Sequence, residues 1–343
     1  MVGPLPLALL LLVGTRLVDE GEAARMLADG AVAIDVRPAE AFARGHVAGA
    51  VSAPGGIPGL EPDARDERLA EVLGAAEVRP GRPVLVVGAL PQDGGAVGWL
   101  AWVLAYLGHP HVAVLDGGFA AWRAAGRPVE ASAGEAPQAR GASRGDGDVS
   151  AEEAPQARGA SRGDGEVSAE EAPKARGASR GDGDVSAGEA PQARGASRGE
   201  AAPARAGSER PFVPRRVEEE RARIDEIAAS GRNIVLLDVR TTEEWRGATP
   251  YGEARGGHIP GARHLPFTQL LDARGRVLAP ALARRRLAAA GVPRGARVIV
   301  YCTSGARSGF AWLVLRTLGY RARNFDASFR AWAAEPSLPV APR

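Results

Sequence analysis

Cysteine is nearly absent from this chain: Cys302 is the only one in 343 residues. That excludes an internal disulfide and any metal site built from several thiolates. The five histidines (His46, His109, His111, His258, His264) show no ligand spacing, so none is expected to hold a metal. Lysine is just as scarce, with Lys174 alone, and arginine carries the positive charge. Charges of both signs are interspersed and sum to +2, which leaves no basic face. Nucleic acid is therefore not an expected partner. Hydrophobic residues reach 45%, enough for real cores in about two domains.

The apolar stretch at 7–13 is too short to span a bilayer, so no stable membrane span is expected. It has the length of a signal-peptide apolar region, although no Lys or Arg precedes it. Val13-Gly14-Thr15 is a weak cleavage candidate. A leader at 1–15 and a periplasmic or exported protein are the expectation; the alternative is a cytoplasmic protein.

Residues 134–151 form an 18-residue unit that recurs from Glu152, from Glu170 and, truncated, from Gly188. Each full copy holds one Val and no copy a larger apolar residue. Such a unit buries too little surface to offset chain entropy, so a disordered linker is expected over 131–210. Its Arg-Gly-Asp triplets, as at Arg144 to Asp146, come along with each copy and need no adhesion role. Deleting 134–200 should leave the thermal midpoint nearly unchanged in a calorimetric scan; a large drop would show the repeats to be packed.

With the repeats set aside, the flanks are two versions of one pattern. The first has Asp35-Val36-Arg37, Gly45-His46, and Asp116-Gly117-Gly118-Phe119 ending at Trp122. The second has Asp238-Val239-Arg240, Gly257-His258, and Asp326-Ala327-Ser328-Phe329 ending at Trp332. In the second half, periodicity predicts strands at 234–239, 297–301 and 322–325. It predicts helices near 242–246, 280–290, 308–318 and 328–334. Strands alternating with helices imply parallel sheets and an α/β fold. The domain boundaries follow as 16–130 and 211–343.

The halves differ where chemistry is possible. In the second, the apolar run 298–301 ends at Cys302, and Thr303, Ser304, Gly305, Ala306, Arg307 and Ser308 follow. A lone cysteine is most often a small buried hydrophobe. This one stands where a strand gives way to a helix, among small, polar and cationic residues. Inward-pointing N–H groups of such a turn favour an anion and make a thiol nucleophilic. The expectation is a thiol both ionised and reachable by solvent. The first half has Gly88 at this place, and no Lys or Arg from Pro83 to Trp122. It is read as a non-catalytic copy.

The Asp-Val-Arg triplets, Gly-His-Ile-Pro-Gly-Ala at 257–262, the loop from Cys302 to Arg307 and the Asp-x-x-Phe-x-x-Trp endings together resemble tandem-domain rhodanese-type sulfurtransferases. The resemblance covers about 17–130 and 211–341. It implies two doubly wound domains, each with a five-stranded parallel sheet, the C-terminal one alone being catalytic. It also implies that Cys302 takes a sulfane sulfur from a donor such as thiosulfate and passes it as a persulfide to cyanide or a thiol. The loop amides from Thr303 to Arg307 would cradle the persulfide, and Arg307 would bind an anionic donor. Asp238 and Arg240 are either supporting site residues or a structural ion pair. Several relatives have a second arginine near the position of Glu244, so an acid there questions part of the anion site.

Arg307 after a Thr303 leans toward thiosulfate rather than 3-mercaptopyruvate, whose users tend to carry Cys-Gly-Ser-Gly-Val-Thr. A persulfide carrier with little turnover is the alternative of another class. A cysteine-dependent phosphatase or arsenate reductase is the lesser enzyme reading, because the Cys-to-Arg loop is short for a tetrahedral oxyanion. A monomer is expected.

Overall fold

The computed structural model describes residues 14–57, 59–131, 210–229 and 234–341. The apolar stretch at 7–13 and the repeats lie outside them.

In the first half, β1 (Gly14–Val18) leads through α1 (Glu20–Ala28) to β2 (Val32–Asp35). Next come α2 (Ala39–Arg44), β3 (His46–Val47), β4 (Val51–Ser52), α3 (Asp66–Ala75) and β5 (Val84–Val87). The half closes with α4 (Ala96–Tyr106), β6 (His111–Leu115), α5 (Gly118–Ala124) and β7 (Val129–Glu130). Its main sheet has five strands in the order β1-β6-β5-β2-β4, all parallel. Central strands such as β5 are buried on both faces and read as unbroken apolar runs, as parallel sheets require.

The second half repeats the plan with α6 (Ile224–Ala229), β8 (Val235–Asp238), α7 (Thr242–Trp245), β9 (Arg263–His264) and α8 (Pro280–Ala289). It continues through β10 (Arg297–Tyr301), α9 (Ala306–Thr317), β11 (Arg321–Asn324) and α10 (Ser328–Ala334). The chain is thus a tandem, doubly wound α/β protein. β10 and α10 have the expected bounds, whereas α9 starts two residues earlier than periodicity predicts. Gly305, with φ of 95°, makes the turn that lets Ala306 and Arg307 enter the helix.

One expectation needs correcting. The second sheet has four strands, in the order β11-β10-β8-β9, rather than five. Where the first half has β1, the second has only a parallel bridge between Arg221 and Asn324. The segment that would form the strand is drawn onto the first half instead. Arg215 N–H donates to Leu107 O at 2.8 Å and Val217 N–H to Tyr106 O at 2.7 Å. A 3-10 turn at Glu218–Glu220 then uses up the remaining length. The boundary expected after residue 15 also shifts, because Gly14 and Thr15 already pair with His111 and Val112 in β1.

The two halves share one core. α4 and α9 are apolar nearly all round and buried nearly throughout, because each lies between its own sheet and the other helix. Glycine allows their close approach. A Cβ placed on Gly98 would lie 2.1 Å from the Phe310 nitrogen, and one on Gly309 would lie 2.8 Å from Gly98 O. Glu220 fastens the crossing: its backbone O accepts Trp102 Nε1–H at 3.0 Å and its carboxylate accepts Trp312 Nε1–H at 3.0 Å. Arg221 ties Asp63 of the first half to Asp326 of the second.

Candidate active site

Cys302 follows the last residue of β10, and the loop 302–305 hands over to α9. Gly305 N–H donates to Cys302 Sγ at 3.1 Å. Ser308 Oγ lies 3.5 Å from the sulfur. Burial pushes the thiol pKa up, but the Arg307 charge, the Ser308 hydroxyl and the Ser308 and Ser304 amides outweigh it and hold the pKa below its ordinary value. The ionised half of the expectation is thus supported by geometry. The solvent-reachable half is not: Cys302 retains 1% exposure. The reason is the tightness of the cradle. Thr303, Gly305 and Ser308 are buried around the sulfur and only Ser304, at the tip of the loop, is exposed. Trp99, from the first half, presses on Gly305, where a Cβ would lie 2.7 Å from its ring.

Arg307 projects from the first turn of α9, but it is not open to solvent as an anion receptor. Its two terminal nitrogens donate to the Glu244 carboxylate at 2.6 and 2.7 Å, and one donates to Thr303 Oγ1 at 2.8 Å. Thr303 Oγ1–H in turn donates to Glu244 Oε1 at 2.7 Å. The carboxylate is aimed by the start of α7. Thr241 Oγ1 accepts from Glu244 N–H, and Thr241 N–H donates to Glu244 Oε2, a reciprocal cap. Burial alone would raise the Glu244 pKa; the Arg307, Thr241 and Thr303 contacts bring it down to about 2. Glu244 is therefore a full negative charge beside the loop at any working pH.

Asp238 and Arg240 are spent on each other. Arg240 donates to both Asp238 oxygens, to Gly257 O at 2.7 Å, and stacks 3.9 Å over the Phe329 ring. The first half repeats these contacts, with Arg37 on Asp35, on Gly45 O at 2.8 Å and 3.8 Å over Phe119. A pair built identically where there is no cysteine favours the structural alternative for Asp238 and Arg240. His258 and His264 stack on Trp245, at 3.4 and 4.8 Å between ring centres.

The first half shows what becomes of a cradle without its thiol. Gly95 caps α4 as Gly305 caps α9, with φ of 93°. Its N–H donates at 2.9 Å to the Asp93 carboxylate, which also accepts Ala89 N–H at 2.9 Å. A Cβ on Gly88 would lie 2.4 Å from that same carboxylate. The Asp93 carboxyl group thus fills the turn in the place where the second half has its thiol.

Ser328 escaped the sequence reading. It is buried in the left-handed region at φ of 55°, where the first half has Gly118 at φ of 57°. Its Oγ accepts Cys302 N–H at 3.1 Å and donates to Phe325 O at 2.7 Å. The signal was a serine standing at the place of a glycine in the matched endings. A side chain at positive φ costs about 1–3 kcal/mol, and losing the acceptor for a buried N–H costs a similar ~1–3 kcal/mol. Ser328→Gly relieves the first while incurring the second, whereas Ser328→Ala only loses. Urea denaturation should find the Gly variant more stable than the Ala variant by roughly 1 kcal/mol, the reverse of the usual order inside elements.

Among the described residues, no group of three or more His, Cys, Asp or Glu could hold a metal ion. Nor is any helix there long and apolar enough to cross a membrane.

Comparison with known proteins adds the following. The family model described as rhodanese-like domain matches residues 19–125 and 221–335. The sulfur carrier protein TtuD of Thermus thermophilus is 31% identical over 115 residues, which cover 31% of this chain and 40% of that protein. A thiosulfate sulfurtransferase of Corynebacterium glutamicum is 31% identical over 142 residues, 38% of this chain and 46% of that one. The chain thus spans less than half the length of these relatives. Among solved structures, the anaerobic ergothioneine biosynthesis enzyme of Chlorobium limicola, in complex with trimethyl histidine, superposes with a TM-score of 0.64. That match covers 95% of this chain and 70% of that one at 18% identity, a likeness of fold.

Proposed function

The chain belongs to the rhodanese-like domain family, and from that premise we propose that it transfers sulfane sulfur through a persulfide on Cys302. The observation that carries the reading is the 3.1 Å hydrogen bond from Gly305 N–H to a sulfur whose pKa is lowered. A thiolate held so attacks the outer sulfur of a donor, and the donor's remaining fragment leaves with the bonding electron pair. The charge of the Cys302 persulfide then lies in the loop, where main-chain N–H groups fixed by α9 stabilise it without reorganising. A second nucleophile, cyanide or a thiol, removes the outer sulfur and returns the thiolate. Cys302 is buried in this structure, so each half-reaction requires the loop to yield locally.

Thiosulfate with cyanide is the assay pair of choice, run beside 3-mercaptopyruvate. Thiocyanate production, with a mass gain of one sulfur atom on Cys302 before cyanide is added, is the expected result. A protein with neither from any sulfane-sulfur donor, persulfides included, would not be a sulfurtransferase. The relative named as a sulfur carrier and the burial of Cys302 favour a second reading, a persulfide carrier. Sulfur gain on Cys302 without thiocyanate would select it.

A further inference from the structure

The charge around the sulfur is not that of an anion receptor. The Cys302 thiolate and the Glu244 carboxylate bring two negative charges, and Arg307 brings one positive charge that is held by Glu244. Behind the loop, a Cβ on Gly305 would lie 2.8 Å from Asp326 O, and Asp326 shares Arg221 with Asp63, again two carboxylates to one guanidinium. The charged side chains named here sum to a net negative charge once the thiol ionises. A dianion such as thiosulfate must bring two more negative charges into this field, and unit charges a few ångströms apart in a protein interact by kilocalories. Beside Arg307, the aromatic ring of Tyr251, 52% exposed, has its centre 5.7 Å from the guanidinium carbon.

We propose that Glu244, by holding Arg307, makes this site select donors that carry little negative charge, namely persulfides and polysulfides of the form R–S–SH, over oxyanions such as thiosulfate. The inference rests on the sulfurtransferase reading and names its donor. The step balances: Cys302 S⁻ attacks the terminal sulfur, the Sγ–S bond forms, the donor S–S bond breaks, and R–S⁻ leaves with the electron pair. The proton stays on the transferred sulfur and is then lost to solvent, leaving a persulfide anion for Gly305 N–H to bind. No oxidant or reductant is consumed.

The test loads the full-length protein with sulfur from thiosulfate, a dianion, or from 2-hydroxyethyl persulfide, which carries at most one negative charge and is generated in situ, and follows the mass of Cys302 with time. The persulfide should load at least about tenfold faster per unit concentration. Raising salt from about 20 to about 500 mM screens charge, and should speed thiosulfate loading several-fold and persulfide loading by clearly less. Glu244→Gln should shift the thiosulfate-to-persulfide rate ratio by about tenfold toward thiosulfate. Should that variant fail to fold, the salt dependence of the unaltered protein decides. Thiosulfate loading that is the faster, or that slows with salt, overturns the proposal alone, because Arg307 would then act as an attracting charge. Loading from neither donor overturns the sulfurtransferase reading and this inference with it.

Discussion

Cys302→Ser is expected to lose sulfur transfer by about a thousandfold or more while the fold stays intact. The hydroxyl lacks an accessible anion at neutral pH and forms no persulfide, so both half-reactions stop. Stability should change by less than about 1 kcal/mol, because the serine oxygen still accepts Gly305 N–H in a buried loop. Cys302→Ala removes that acceptor, and an orphaned buried N–H costs about 1–3 kcal/mol. Thiocyanate assays beside thermal melts of the two variants separate chemistry from folding. Activity retained by the serine variant would move the nucleophile elsewhere and end the proposed mechanism.

Gly98→Leu should produce the largest loss of stability. The added Cβ would lie 2.1 Å from the Phe310 nitrogen and 2.2 Å from its Cα, so backbone must move rather than a side-chain tip. Overpacking a tight core costs about 1–3 kcal/mol and more when backbone is displaced. Two whole helices abut here, so a loss of at least about 3 kcal/mol in urea denaturation is expected. Catalysis should fall too, since α9 carries Arg307 and Ser308 at its start and Gly95 backs onto Arg307. An unchanged urea midpoint would mean that the halves do not pack as the structure has them.

Much of this was legible in the chain itself. The alternation of apolar runs and helical periodicity located β10 and α10 to the residue, because buried parallel strands and amphipathic helices leave different spacings. The absence of a thiol at Gly88 is what reads the first half as silent. Glu244 was visible as an acid where relatives place an arginine, but its partner was not, since 63 positions separate it from Arg307. Asp93 gave no sign that it fills the vacant cradle, because nothing in its local sequence says where its carboxylate turns. The missing fifth strand was equally hidden: residues 215–217 are extended in either case, and only competition with Leu107 and Tyr106 for backbone hydrogen bonds diverted them.

What the amino-acid order alone determined was local: element type, the duplication, the family resemblance and the single candidate nucleophile. Those follow from propensity and periodicity, which act over a few residues. What the tertiary structure decided was the environment of that nucleophile. Its burial, Trp99 of the first half against Gly305, and the cancelled charge of Arg307 all depend on contacts between residues far apart in the chain. Electrostatic and packing energies are set by distance in space, and only the folded chain defines it.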